Sequence, residues 1–152
     1  MGAALKEILR EENISVGARA RDKRDVLRQM CVVLEENGLV RSAEAFYADV
    51  LLREKLGPTC IGDGVAIPHG KSAAVKRPAV VVFQLDAPVL WESIEGKEEV
   101  TVVILFCVSD DDMAAREHLH LLAEVARKLA YKETLDALRC AETPGDVIGV
   151  LS

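Results

Sequence analysis

The run VTVVILFCV, from Val100 to Val108, decides the fold class of this chain. Most of its residues are β-branched, its length is that of a strand, and both sets of alternating positions are apolar. The run PAVVVFQL, from Pro78 to Leu85, has the same character. Strands that are apolar on both faces are usually buried on both, which requires helices above and below the sheet. The two runs therefore predict a central sheet between two helical layers.

Helix and strand signals on either side of this centre agree with that architecture. Asp22 is a predicted N-cap, and so is Thr143, which precedes a proline at the first helical position. The alternation from Ile14 to Ala20 predicts a half-buried strand. The segment between the two apolar runs predicts a shorter strand and a turn, with Trp91 packed at a sheet edge. The predicted helices cover about residues 5–12, 22–37, 42–55, 110–130 and 132–140, with a short one after 143.

Composition and charge narrow the functional class. The chain has 152 residues, half of them apolar, and a formal net charge of −6. This fits one globular domain, which we take to span residues 1–152. An acidic domain without a cluster of Lys or Arg is a poor nucleic-acid binder, because that affinity comes mainly from neutralising phosphates. The longest apolar run is far too short to cross a bilayer, so no direct membrane insertion is expected. The predicted fold is a single three-layer α/β/α domain with a mixed sheet.

The four cysteines favour a reducing compartment. They form no C-x-x-C pair, and their gaps match no zinc framework. Cys31 and Cys107 lie in apolar runs and are expected to be buried thiols. Scattered unpaired cysteines suit the cytosol, so a cytoplasmic protein is expected. No metal site and no cofactor site is predicted.

The stretch CIGDGVAIPHGKS, from Cys60 to Ser72, holds the strongest candidate for chemistry. Pro68 pushes the residue before it away from helical angles, so the chain should enter His69 extended. Gly70 allows a sharp departure afterwards. A histidine fixed in this way can be a nucleophile, a base or a metal ligand. The alternative is a turn histidine whose ring only caps a backbone group.

The other two histidines lie on a predicted amphipathic helix. His118 is at the edge of its apolar face, whereas His120 points the opposite way and is expected to be a solvated surface residue. Residues two apart on a regular helix do not face each other, so this pair is not expected to chelate one metal ion. The sequence also contains no H-E-x-x-H, no phosphate-binding P-loop and no G-x-S-x-G elbow.

These residues carry a resemblance to a known family. Glu54 is followed, after six intervening residues, by an aliphatic residue and a glycine, and then by the run VAIPHG that contains His69. With this motif, REHLHLLAEVARKL and the N-terminal order of elements, the chain resembles a IIA domain of the phosphoenolpyruvate-dependent sugar phosphotransferase system, of the fructose/mannitol class. The likeness extends over essentially the whole chain.

The resemblance implies a phosphotransferase component with a phosphohistidine intermediate. His69 would accept the phosphoryl group, the phosphocarrier protein HPr would donate it, and a IIB domain would receive it for sugar uptake. Arg53 matches the arginine beside the active site, and His118 matches its second histidine. Cys60 stands where family members often have glycine.

Two further readings remain open at this point. A nitrogen-type relative would be phosphorylated on His69 but would signal by binding other proteins, and the same motif fits it. A metal-dependent hydrolase using His69 and His118 is a distant third, since the sequence has few histidines and no matched carboxylate spacing. The identity of the sugar and any self-association into a homo-oligomer are not indicated.

Overall fold

The computed structural model describes residues 8–152, except for the side chains at positions 112, 114, 115, 118, 119 and 122. A mixed sheet lies between helices on both faces, as the two apolar runs predict. The strands are β1 (Ile14–Ala18), β2 (Cys60–Gly62), β3 (Val65–Ala66), β4 (His69–Ser72), β5 (Ala79–Ser93) and β6 (Gly96–Ser109). The helices are α1 (Lys23–Glu36), α2 (Ala43–Leu56), α3 (Asp112–Leu129), α4 (Lys132–Cys140) and α5 (Pro144–Leu151).

The sheet has the order β1-β5-β6-β3-β2, and β4 also pairs with β6. Strand β1 runs parallel to β5, whereas β5 and β6 form a long antiparallel hairpin. Both β3 and β4 run parallel to β6, and β2 returns antiparallel to β3. The predicted mixture of strand directions is therefore confirmed.

Each face of the sheet has its own apolar core. On β5, Val81 and Phe83 belong to the core under α1 and α2, whereas Val80 and Val82 belong to the core under α3, α4 and α5. Successive side chains of a strand point to opposite faces, so one apolar run fills both cores. Within residues 8–152, no helix is long and apolar enough to cross a membrane.

Side-chain caps fix the helix starts at the expected places. The Asp22 carboxylate accepts a hydrogen bond from the amide of Asp25 at the start of α1. Thr143 and Asp146 cap each other's backbone at the start of α5, a complete capping box. These local signals position helices without help from the rest of the fold, which is why they could be predicted from the sequence.

Two elements differ from the sequence-based expectation. The shorter strand predicted after the first apolar run is the continuation of β5, whose pairing with β6 slips between Gln84 and Val89 and then resumes. Pro88 lies in that slip, where it has no ladder hydrogen bond to break. Residues 5–7 of the predicted helix 5–12 lie outside the described part. Its end is a 3-10 helix, Glu11–Asn13, because Asn13 turns inward and accepts a hydrogen bond from Asn37 at 2.7 Å.

Strands β3 and β4 form one line beside β6, interrupted at Ile67 and Pro68. Val65 lies opposite Val102, and His69 lies opposite Phe106, so the register is the same before and after the interruption. The carbonyl of Pro68 still accepts a hydrogen bond from the amide of Phe106 at 3.0 Å. His69 is therefore the first residue after a proline break, on a line of chain that stays attached to the centre of the sheet.

Gly70 is required by the close approach of α2 to β4. A Cβ atom at this position would lie 2.8 Å from Val50 Cγ2 and 3.0 Å from the ring of Phe46. Any side chain would push the helix away from the strand. The glycine after His69 thus serves helix packing, in addition to the sharp departure expected from the sequence.

Candidate functional site

His69 lies at the sheet margin, where α2 and β4 meet. It pairs with Phe106, whose side chain belongs to the core under α3, α4 and α5. Partners directly opposite each other in a ladder point to the same face, so the His69 side chain points toward the α3 side. The residue is half-buried. The imidazole is thus held by the protein on one side and open on the other.

Arg53 reaches His69 from the other helical layer. It lies in the last turn of α2, and its Nε donates a hydrogen bond to His69 Nε2 at 3.0 Å. Its Nη1 donates to the carbonyl of Gly57 at 3.1 Å, which fixes the plane of the guanidinium. A charged side chain from one face of the sheet therefore meets an imidazole from the other.

This contact determines which ring nitrogen of His69 carries the proton. A guanidinium can only donate, so His69 Nε2 must present a lone pair to Arg53. The proton of the neutral ring then lies on Nδ1, which is 3.4 Å from the carbonyl oxygen of Ile67. A backbone carbonyl accepts but never donates, so both neighbours favour the same tautomer.

The surroundings also favour the neutral ring. Burial lowers the pKa of His69 below its usual value of 6.5, and the charge of Arg53 lowers it further. The hydrogen bond to the Ile67 carbonyl and the charge of Glu54 act in the opposite direction but are outweighed. At neutral pH the ring is an uncharged base with its lone pair on Nε2.

A second set of polar groups surrounds Glu54, the neighbour of Arg53 in α2. The Thr59 hydroxyl donates to Glu54 Oε2 at 2.7 Å and accepts from Trp91 Nε1 at 3.2 Å. Lys23 Nζ lies 2.7 Å from Glu54 Oε1 and 5.1 Å from the centroid of the Trp91 ring. We call Lys23, Glu54, Thr59 and Trp91 the buried polar cluster.

Comparison with known proteins identifies the family. The sequence profile "Phosphoenolpyruvate-dependent sugar phosphotransferase system, EIIA 2" matches residues 7–152. The chain belongs to this EIIA family. Its members are components of a phosphotransferase system.

Relatives of two kinds lie within the EIIA family. The 2-O-alpha-mannosyl-D-glycerate-specific EIIABC component of Escherichia coli is 33% identical over 97% of this chain, which spans only 22% of that relative. The nitrogen regulatory protein IIA-Ntr from Neisseria meningitidis has 29% identity and a TM-score of 0.87, over 98% of this chain and 99% of that one. Escherichia coli IIAMTL, in a complex with phosphorylated IIBMTL, has 25% identity and a TM-score of 0.75, over 92% and 94%. The EIIA fold is therefore shared by sugar-specific and regulatory proteins.

The structure brings two of the three predicted site residues of this EIIA chain together. Arg53 and His69 are in direct contact. His118 lies on α3, whose buried face packs in the core toward which His69 points, but its side chain is outside the described part, so its role stays a prediction. Helix α3 begins at Asp112 with Asp111 as N-cap, which places His118 in the second turn. A helix leaves only the backbone amides of its first turn unbonded. His118 lies beyond that turn, so its own amide is not one of them.

Sequence reasoning missed the buried polar cluster. Glu54 stands in the family motif, but the motif gave it no role. Trp91 was expected at a sheet edge, and it is instead fully buried beside the site. Thr59 and Lys23 carried no signal, because Lys23 lies far in sequence from Glu54 and Thr59 lies far in sequence from Trp91. A paired carboxylate could have been suspected, because Glu54 lies on the same helix face as the apolar Val50 and Leu51, four and three positions before it.

Cys60 is half-buried on β2, where its Sγ lies 3.1 Å from Glu98 Oε2. Burial raises the pKa of this thiol above 9.0, and the Glu98 carboxylate adds to the effect. A thiol with a raised pKa is a poor nucleophile, so Cys60 is not a candidate for nucleophilic chemistry. Among the described residues, no group of three or more His, Cys, Asp or Glu is arranged to hold a metal ion.

Proposed function

We propose that His69 accepts a phosphoryl group on Nε2 from the phosphocarrier protein HPr and passes it to a IIB domain for sugar uptake. The observation that carries this proposal is the 3.0 Å hydrogen bond from Arg53 Nε to His69 Nε2. It identifies the ring atom with the free lone pair and puts a cation next to that atom. We propose the cytoplasm as the place of this reaction, because the scattered unpaired cysteines suit a reducing compartment.

The chemistry requires a neutral imidazole with a fixed proton. The lone pair of Nε2 attacks phosphorus, the N–P bond forms, and the bond between phosphorus and the donor nitrogen breaks. The leaving ring takes up the electron pair of that bond. Nδ1 keeps its proton throughout, held toward the Ile67 carbonyl. Transfer to a IIB domain is the same displacement with His69 as the leaving ring, so a stable tautomer serves both steps.

Arg53 has a different partner in each state. In the unphosphorylated protein it donates to Nε2. Once the lone pair is part of the N–P bond, the same donor can point only at a phosphoryl oxygen. A guanidinium that neutralises developing negative charge in a partly buried site stabilises the transition state. His118, on the helix that covers the face toward which His69 points, is proposed as a second donor to the phosphoryl oxygens.

The regulatory function is the second candidate. The observation that favours it is the likeness to IIA-Ntr, whose TM-score of 0.87 is higher than the 0.75 of IIAMTL. Pull-downs with the unphosphorylated and the phosphorylated chain separate the two functions. Capture of a IIB domain supports transport, whereas capture of other proteins in one phosphorylation state only supports regulation.

A labelling experiment tests the phosphoryl-transfer step. The chain is mixed with labelled phosphoenolpyruvate, the first enzyme of the system and HPr. We expect an acid-labile, alkali-stable phosphoprotein, which His69→Ala abolishes. His120→Ala is the matched control, because His120 is an exposed histidine on α3 and should leave the label unchanged. Labelling of His69→Ala at the rate of the unmodified chain would exclude this function.

A further inference from the structure

We propose that Thr59 is a positioning residue for phosphoryl transfer, whose hydroxyl ties the loop before β2 to Glu54 and so holds both Arg53 and the His69 ring. This inference rests on the proposed function, since it assigns a role within the same site. Thr59 does not touch His69, and it acts through the backbone that lies between them.

The Thr59 hydroxyl is fully committed to side-chain partners. It lies in a residue that is only 4% exposed, donates to Glu54 Oε2 at 2.7 Å and accepts from Trp91 Nε1 at 3.2 Å. A hydroxyl has one proton, so donation to Glu54 and acceptance from the indole fix its direction. A hydrogen bond to an ionised carboxylate is stronger than one between neutral groups.

Glu54 is itself anchored. Its side chain is 5% exposed, and Lys23 Nζ lies 2.7 Å from its second oxygen. Lys23 is also held by Glu92 at 2.7 Å and lies over the ring of Trp91. The cluster thus closes on itself, and its members come from α1, α2, β5 and the loop before β2. Because the anchor involves four separate segments, the position of Thr59 is fixed relative to the sheet and to both helices.

The backbone of Thr59 passes this position on to His69. Its carbonyl accepts a hydrogen bond from the amide of Ile67 at 2.9 Å. The carbonyl of Ile67 in turn faces His69 Nδ1 at 3.4 Å. Pro68 has no amide proton. The amide of Ile67 is therefore the donor that attaches the interruption between β3 and β4 to the loop before β2. A shift of Thr59 would therefore move the acceptor that fixes the His69 proton.

The same loop also holds Arg53. The carbonyl of Gly57 accepts from Arg53 Nη1 at 3.1 Å, and Gly57 is two residues before Thr59. Arg53 is the neighbour of Glu54 in α2. The bond between Thr59 and Glu54 therefore ties the end of α2 that carries Arg53 to the loop before β2. Both partners of the Arg53–His69 hydrogen bond thus depend on segment 57–59.

Thr59→Val tests the role of the hydroxyl at nearly constant shape. We expect phosphorylation by HPr to slow about tenfold or more, because small misplacements of reacting groups have large effects on rate. Two-bond ¹⁵N–¹H spectra of the His69 ring, recorded on the full chain at neutral pH, should show a larger share of the tautomer with its proton on Nε2. Thr59→Ser keeps the hydroxyl and should restore both the rate and the spectrum.

Trp91→Phe is the matched control for packing. It removes the weaker, neutral hydrogen bond from the indole but leaves the bond from Thr59 to the Glu54 carboxylate, so the ring spectrum should change less than in Thr59→Val. A change as large as that in Thr59→Val would overturn the proposal, because packing and not the hydroxyl would then set the tautomer. An unchanged rate and ring spectrum in Thr59→Val would overturn the proposal. A slower transfer with an unchanged ring spectrum would overturn it as well, because the effect would then not pass through the imidazole.

The ring spectrum separates this proposal from the proposed function. It is recorded without any phosphoryl donor, so it tests Thr59 even if the unmodified chain is never labelled. If Thr59→Val does not fold, as judged by circular dichroism, the same measurements are made on Glu54→Gln, which keeps the shape and removes the charge that holds the hydroxyl. In that variant, loss of the tautomer supports the proposal, and an unchanged rate and ring spectrum overturn it.

Discussion

The two faces of the sheet are built from the same strands but differ in what they bury at their margins. The α1–α2 face has a charged cluster, in which Lys23 and Glu54 are 16% and 5% exposed and lie 2.7 Å apart. The α3–α5 face has a neutral amide, at the end of α4. There Gln84 Nε2 donates to the carbonyls of Leu138 and Ala141, each at 2.8 Å, and so closes the end of α4.

The two arrangements have different effects. The neutral amide fixes the end of a helix, whereas the charged cluster fixes a reactive group. A neutral amide satisfies orphan carbonyls at a helix end and so fixes that end. A buried ion pair is costly to desolvate and adds little net stability, but it fixes the geometry of its neighbours. The charged margin is the one that adjoins Arg53 and His69. Matched substitutions on the two faces test this contrast.

Removing the cation of the buried pair should have the largest effect. Lys23→Met keeps the aliphatic stem beside Trp91 but leaves the buried Glu54 carboxylate without its partner. We expect a loss of about 3 kcal/mol in the free energy of unfolding. Urea denaturation measures it.

The matched variant on the other face is Asp136→Ala. It breaks the exposed pair with Arg139 on α4, whose atoms lie 2.9 Å apart, and should cost about 0.3 kcal/mol. Equal losses in the two variants would show that burial does not distinguish the pairs.

Two glycine substitutions compare how tightly the faces are packed. Gly70→Ala would place a Cβ atom 2.8 Å from Val50 Cγ2 and should destabilise the fold by about 1–3 kcal/mol. Gly149→Ala, on α5, meets no atom within 4 Å and should stabilise the fold by about 0.5–1 kcal/mol through helix propensity. Thermal unfolding of both variants gives the two signs. A neutral Gly70→Ala would mean that α2 can move away from β4 freely.

The charges beside His69 should shift its pKa in opposite directions. Arg53→Gln removes a charge that lowers the pKa of His69, so the pKa should rise, whereas Glu54→Gln removes a charge that raises it, so the pKa should fall. Nuclear magnetic resonance titration of the ring measures both. Shifts in the same direction would contradict the assigned geometry.

The same shift predicts how stability depends on pH. Burial lowers the pKa of His69 in the folded chain below 6.5, so the unfolded chain binds this proton more readily. The free energy of unfolding should therefore decrease as the pH falls from 6.5 toward the lowered folded value. Urea denaturation above and below pH 6.5 should show a weaker dependence for Arg53→Gln, in which the folded pKa lies closer to the unfolded one.

The parts of the fold that depend on local pattern could be predicted from the sequence. The N-caps at Asp22 and Thr143 are recognisable because the capping side chain and its amide lie within three residues. The two buried strands are recognisable because both alternating sets of positions are apolar. The length of β5 was missed, because its continuation past Pro88 depends on pairing with β6, not on local preference.

The candidate site divides in the same way. His69, between a proline and a glycine, was found from its immediate neighbours and from the family motif. Its contact with Arg53 joins residues 16 positions apart, and the bond from Trp91 to Thr59 joins residues 32 apart. Contacts of this kind cannot be predicted from the periodicity of the segments that they join. Each side chain alone resembles an ordinary surface or core residue.

By itself, the sequence determined a three-layer α/β/α chain with a histidine presented after a proline, because hydrophobic alternation, capping and the restricted angles of proline act over a few residues. Only the tertiary structure decided which nitrogen of that histidine is free, how Arg53, which the family motif had pointed to, contacts it and which buried carboxylate lies next to Arg53. Those properties come from hydrogen bonds and charges between segments that meet only when the two helical layers close on the sheet.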